Sequence, residues 1–189
     1  MRSDEELMLS YVKGDQAAFR ELFQRYAPIL LRMLLRNVGR AADAQDLTQQ
    51  TFLQLHRARH DFRRDTRLRP WIMTIALNLA RDLLRRRGRR PELEIDEEVL
   101  AAPAAASPAA NVDDRARVRR ALAELPTEQR EVIELHWFEE LPFNDIAAML
   151  GCSPGAVRVR AHRGYVNLRK TLGNVVPSDQ DDEPAAGDR

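Results

Sequence analysis

Twelve arginines lie between Arg57 and Arg90 against three aspartates, which leaves that stretch nine positive charges in surplus. A second block, Ser153 to Lys170, carries Arg158, Arg160, Arg163, Arg169 and Lys170 and no acid. Between them, Glu92 to Asp114 holds seven acidic residues and no basic one. The formal net charge of +1 conceals this segregation. Two basic blocks with an acidic strip between them predict two contacts on a polyanion and a connector that avoids it.

The second block has the punctuation of a helix-turn-helix in "LPFNDIAAMLGCSPGAVRVRAHRGYVNLRK". Gly151 can end one helix in the left-handed conformation. Ser153 can cap the next helix, with Pro154 in its first turn. At 100° per residue, Val157, Ala161, Tyr165, Leu168 and Leu172 share a core face. Opposite lie Ala156, Val159 and Arg163, flanked by Arg160 and His162. Arginine can read guanine edges in the major groove, and Ala and Val can meet thymine methyls. Arg158, Arg169 and Lys170 are placed for phosphates. A helical pair with a merely solvated basic face is the blander alternative. His162 fits a phosphate neighbour better than a metal ligand, and Cys152 reads as a small core residue.

The first block centres on "RPWIMTIALNLARDLLRRRGRR". Such a helix could lie on a membrane, lean on a protein or grip a nucleic acid. Ile72, Met73, Ala76, Leu77, Leu79, Ala80, Leu83 and Leu84 cover over half of its wheel, too wide for a helix on lipid and right for one inside a bundle. The remaining stripe holds Thr74, Asn78, Arg81 and Arg85, with Trp71 at its margin. Phe62 sits just before, among Arg63, Arg64, Arg67 and Arg69. Rings among cations suit unstacked bases; the competing reading makes Phe62 and Trp71 core anchors. In "DAQDLTQQTFLQLHRA", Ala44, Leu47, Thr51, Leu55 and Ala58 form the core stripe. Leu53 falls almost opposite, beside Asp46, Gln49, Gln50 and Arg57. It is either an unremarkable exposed leucine or the anchor of a protein interface.

These side chains need helices to hold them. Ala, Leu, Arg, Glu and Gln dominate the 189 residues, and all are good helix formers, so the fold is expected to be all-α: two small helical domains on a flexible acidic linker. In the first domain, residues 1–90, helices are expected over about 15–37, from an Asp43 N-cap to about Arg59, and over Trp71–Arg87 with Gly88 as the stop. Residues 91–112, with Pro91, Pro103 and Pro108, read as linker. The second domain, 113–172, should hold helices at 113–124, 127–138, 142–150 and 153–171, followed by an acidic disordered tail, 173–189. The single cysteine allows no disulfide within the chain. The N-terminus lacks a signal-peptide core. The longest apolar run is about half of the ~20 residues that span a bilayer. A cytoplasmic protein with no membrane insertion is expected. Paired catalytic carboxylates, a phosphate-cradling glycine loop and His-rich metal spacing are missing, so no catalysis, cofactor or metal is expected.

Together, "DAQDLTQQTFLQLHRARHDF…LRPWIMTIALNLARDLLRRRGRR" and "LPTEQREVIELHWFEELPFNDIAAMLGCSPGAVRVRAHRG" resemble regions 2 and 4 of the extracytoplasmic-function sigma factors of bacterial RNA polymerase. The resemblance implies promoter-directed transcription initiation, with core polymerase (β′ clamp coiled coil and β flap) and promoter DNA as partners. It places Asp43, Asp46, Leu47, Gln49, Gln50, Phe52 and Leu53 in the segment that docks on the β′ coiled coil; glutamates are usual at Gln45 and Gln50. Ala58, Phe62 and Asn78 match a pocket for a base flipped from the minus-ten element, and Arg63, Arg64, Trp71, Thr74, Arg81 and Arg85 surround it. Arg158, Arg160 and Arg163 match the minus-thirty-five recognition helix, whose face also holds Ser153, Ala156, Val159 and His162. Serine or threonine is usual near Ala156 and Val159, and Ala-Arg where Gly164-Tyr165 stand. The acidic linker would thread toward the RNA exit path. The family is commonly restrained by an anti-sigma protein, often at the inner membrane face. A stand-alone dimeric repressor or activator would leave the Phe62–Asn78 stripe and Leu53 unexplained, and a peripheral membrane protein is the other rival.

Overall fold

In a computed structural model the structure describes residues 2–88 and 112–173. The chain divides into two compact units, parted between Pro103 and Ala104. Among the described residues the fold is all helical, as expected. The expected linker and tail, apart from Val112 and Gly173, lie outside the described residues, as do Arg89 and Arg90.

The first unit begins with a helix that hydrophobic spacing alone did not announce, α1 (Asp4–Val12). Ser3 and Glu6 cap it reciprocally: Ser3 Oγ accepts the Glu6 N–H at 3.1 Å, and Glu6 Oε2 accepts the Ser3 N–H at 2.8 Å. Leu7, Met8 and Tyr11 are its buried face. Asp15 then caps α2 (Gln16–Val38) by accepting from Ala17 and Ala18. Those amide donors, with the Arg2 guanidinium, hold its carboxyl below the usual carboxylate range. The helix runs through Pro28, which costs it one backbone bond. Burial of Leu22, Tyr26, Leu30, Met33 and Leu34 on both sides of the proline outweighs that loss.

Gly39, at φ 78°, turns the chain into α3 (Ala41–Arg57). Asp43 is not its N-cap. Arg40 is, without a side-chain cap, and Asp43 stands inside the first turn. A 3-10 turn (Arg59–Asp61) and a short basic loop lead to α4 (Leu68–Arg87), which starts three residues before the expected Trp71. Pro70 still falls in its first turn. The start moves because Glu5 of α1 supplies the cap: its Oε1 accepts the Leu68 N–H at 3.1 Å. Of the expected α4 core residues, Ile72, Met73, Ala76, Leu77 and Ala80 are buried, while Leu79, Leu83 and Leu84 are half-buried. Gly88, at φ 59°, ends the helix.

The second unit holds α5 (Val112–Glu124), α6 (Thr127–Ile133), α7 (Phe143–Leu150) and α8 (Pro154–Leu172). The expected helix 127–138 is α6 continued by a π-helical turn, Glu134–Phe138. Ala121, Leu122, Leu125, Ile133, Leu168 and Leu172 form a core cluster. Gly164 lets α8 approach α6: a Cβ there would lie 2.4 Å from Ile133 Cδ1 and 3.4 Å from Gln129 Cβ. Tyr165 is half-buried on the edge of that contact, and its hydroxyl accepts from Trp137 Nε1 at 2.5 Å.

Candidate nucleic-acid interface

The turn between α7 and α8 follows its sequence signals. Gly151 adopts the left-handed conformation, at φ 63°. Ser153 Oγ accepts the Ala156 N–H at 3.2 Å, and Pro154 occupies the first helical position. Val157, Ala161, Leu168 and Leu172 face the core. Arg158, Val159, His162 and Arg163 are exposed, Val159 by 49%. Ala156 is half-buried. This face therefore offers cations around a small apolar centre, next to a helix N-terminus whose free N–H groups favour anions.

Arg160 departs from the expected outward face. It folds back, pairing with Glu128 at 3.1 Å and reaching Cys152 Sγ at 3.8 Å. Arg160 therefore braces the start of α6 against α8 in the free chain. Cys152 is half-buried rather than fully in the core. Arg169 and Lys170 are exposed near the other end of α8.

In the first unit, Asn78, Arg81 and Arg85 stand exposed on α4. Asn78 Oδ1 accepts from Arg81 at 3.2 Å, and Arg85 pairs with Asp82 at 2.9 Å. Thr74 is half-buried, and its hydroxyl donates to the Pro70 carbonyl at 2.8 Å, so it is turned into its own helix. Phe62 is 6% exposed and packs against the half-buried Trp71, with ring centroids 5.4 Å apart. The core-anchor reading therefore holds for Phe62. In this conformation its ring is not an open platform for a base. Arg63 and Arg64 are exposed beside it, and Ala58, at the end of α3, is half-buried.

On α3, Ala44, Leu47, Thr51 and Leu55 face the core as expected. Leu47 and Phe52 are buried, so they can only shape a docking surface from beneath. Phe52 supports the exposed Phe23, with centroids 4.6 Å apart. Asp46, Gln49, Gln50 and Leu53 are exposed, Leu53 by 48%. Asp43 is held by Arg87: Arg87 Nη2 donates to Oδ1 at 2.9 Å, and Nη1 donates to Oδ2. The Arg87 guanidinium holds the Asp43 carboxyl below the usual carboxylate range. This pair and the Glu5 cap were not readable from the sequence. Their partners lie 44 and 63 residues apart, beyond any helical spacing. The cap of α1 was readable, because Ser3 and Glu6 stand three apart before an apolar pair.

The sigma-70 region 2 family profile matches residues 22–90, and the sigma-70 region 4 profile matches residues 115–168. RNA polymerase sigma factor CarQ of Myxococcus xanthus is 43% identical over 167 residues, covering 86% of this chain and 93% of that protein. The extracytoplasmic-function RNA polymerase sigma factor SigM of Mycobacterium tuberculosis is 33% identical, covering 91% and 86%. This chain belongs to the extracytoplasmic-function family of RNA polymerase sigma factors. As a sigma factor it is a DNA-binding transcription initiation factor that directs RNA polymerase to promoters. The structure of CnrH in complex with the cytosolic domain of CnrY matches at a TM-score of 0.68, with 31% identity over 89% of this sigma factor and 96% of that chain. The sigma factor RpoE of Bartonella quintana, solved with the anti-sigma factor NepR, matches at 0.67, with 25% identity over 84% and 98%. Among the described residues of this sigma factor, no helix is long and apolar enough to cross a membrane. The region 2 match begins at Leu22, so α1 and its Glu5 cap on α4 lie outside the matched span.

Proposed function

We propose that the two units divide promoter recognition between them. The second unit lays α8 in the major groove of upstream duplex DNA. Val159 and Arg163 meet base edges, and Arg158, His162, Arg169 and Lys170 meet phosphates. The first unit docks on the β′ coiled coil of core polymerase through Asp43, Asp46, Gln49, Gln50 and Leu53, over a floor made by Leu47 and Phe52. Its α4 then holds the unpaired strand with Asn78, Arg81 and Arg85, while Arg63 and Arg64 follow the backbone. Phe62 and Trp71 serve this surface by fixing the loop that carries the two arginines. The observation that carries the reading is the presence of two outward cationic helices, α4 and α8, on separate units matched by regions 2 and 4.

The sigma factor contributes binding free energy and no bond chemistry, so it is not itself an enzyme. Extracting a base costs a few kcal/mol, which contacts to the freed strand must offset. Its place of action is the cytoplasm, with an anti-sigma protein as restraining partner. Relatives solved bound to an anti-sigma factor or to a cytosolic domain support that partner. Promoter-library run-off transcription with the purified chain and core polymerase tests the reading. Transcripts from a defined promoter class are expected, and no stable complex with core would refute it.

A further inference from the structure

The surface assigned to docking is not evenly presented. Asp46, Gln49, Gln50 and Leu53 are open to solvent, but the Asp43 side chain is only 13% exposed. Arg87, the last residue of α4, covers it with both terminal nitrogens, one on each carboxylate oxygen. Arg40 Nε adds a third cationic contact at 4.0 Å. A forked guanidinium on a carboxylate is the strongest geometry this pair of groups can form. A carboxylate already satisfied in this way gives little to a second cation unless the first one leaves.

We propose that the Arg87–Asp43 pair is an intramolecular lock over the docking end of α3, which core polymerase must open by exchanging Arg87 for a cationic side chain of its own. This rests on the docking role proposed above and names Arg87 as the residue that tempers it. The exchange swaps one ion pair for another, so Asp43 is never left bare in the interface. A surface lacking a well-placed cation cannot open the lock and meets Arg87 instead, which adds selectivity by penalising wrong partners.

The test is equilibrium binding of the labelled full chain to core polymerase at low and high salt. It compares the parent with Arg87→Ala, Arg87→Lys, Asp43→Asn and the Asp43→Asn/Arg87→Ala double variant. Arg87→Ala should bind about two- to fivefold more tightly at low salt, the range expected for a partly exposed ion pair. The gain should shrink at high salt. Arg87→Lys should fall between, since it keeps the charge and loses the fork. In the Asp43→Asn background, removing Arg87 should give no gain, which a merely structural role for Arg87 would not produce. Equal or weaker binding by both Arg87 variants, or the same gain without the Asp43 carboxylate, would overturn the lock. If the parent chain fails to bind core at all, the docking role falls and takes the lock with it.

Discussion

Asn78 and Arg81 stand almost one turn apart on α4, and the bond between them decides what the amide can offer. The guanidinium can only donate, so it draws Oδ1 toward itself at 3.2 Å and leaves the Nδ2 donors for a ligand. A donor pointed outward favours a base edge rich in acceptors. Asn78→Ala should change the preferred downstream base in a promoter-library assay while core binding stays within experimental error. Unchanged preference would remove Asn78 from the recognition surface. The i, i+3 spacing of this pair was readable, because helix geometry alone brings such residues together. The fate of Phe62 was not. Its ring packs against Trp71 of α4, on the far side of the basic loop. The pairing of Arg160 was not readable for a similar reason, since its partner Glu128 belongs to another helix.

Among the elements, α1 matters most to the cationic surface without being part of it. Its Glu5 carboxylate takes an orphan amide at the start of α4, where the helix dipole also favours a negative charge. Asp4 on the same helix accepts from Tyr26 Oη at 2.5 Å and Arg25 Nη1 at 2.6 Å, which fastens α1 to α2. Glu5→Ala should lower unfolding stability by about 1 kcal/mol in urea titration, a typical loss for a helix cap. Glu5→Gln should lose less, because the amide oxygen still accepts. An Ala variant with the parent's midpoint would show that the cap contributes nothing. The helices of the second unit were legible nearly to the residue, because Gly151, Ser153 and Pro154 mark their own boundaries. α4 was placed three residues late because its cap comes from a distant element.

At the scale of the whole molecule, each unit carries one of the chain's two tryptophans, Trp71 in the first and Trp137 in the second. Single-tryptophan variants can therefore follow the units separately. The depressed carboxyls of Asp15 and Asp43 both belong to the first unit. A depressed carboxyl adds stability above its unfolded pKa of about 3.9 and loses it as pH falls through the folded value. The Trp71 transition should therefore move to lower temperature as pH drops below about 4. A transition with the same midpoint at pH 3 and pH 7 would count against this. In the same unit, burial and the Asp4 bond raise the Tyr26 hydroxyl pKa, so its contribution is intact below about pH 10 and fades above it. The close approach at Gly164 has a practical corollary for rewiring gene expression. On the groove-facing assignment proposed above, Val159 and Arg163 are the positions to randomise for retargeting, with Val157, Ala161, Gly164 and Leu168 kept, since these seat α8 on its neighbours. The same helix thus comes already sorted into positions open to engineering and positions that must be left alone.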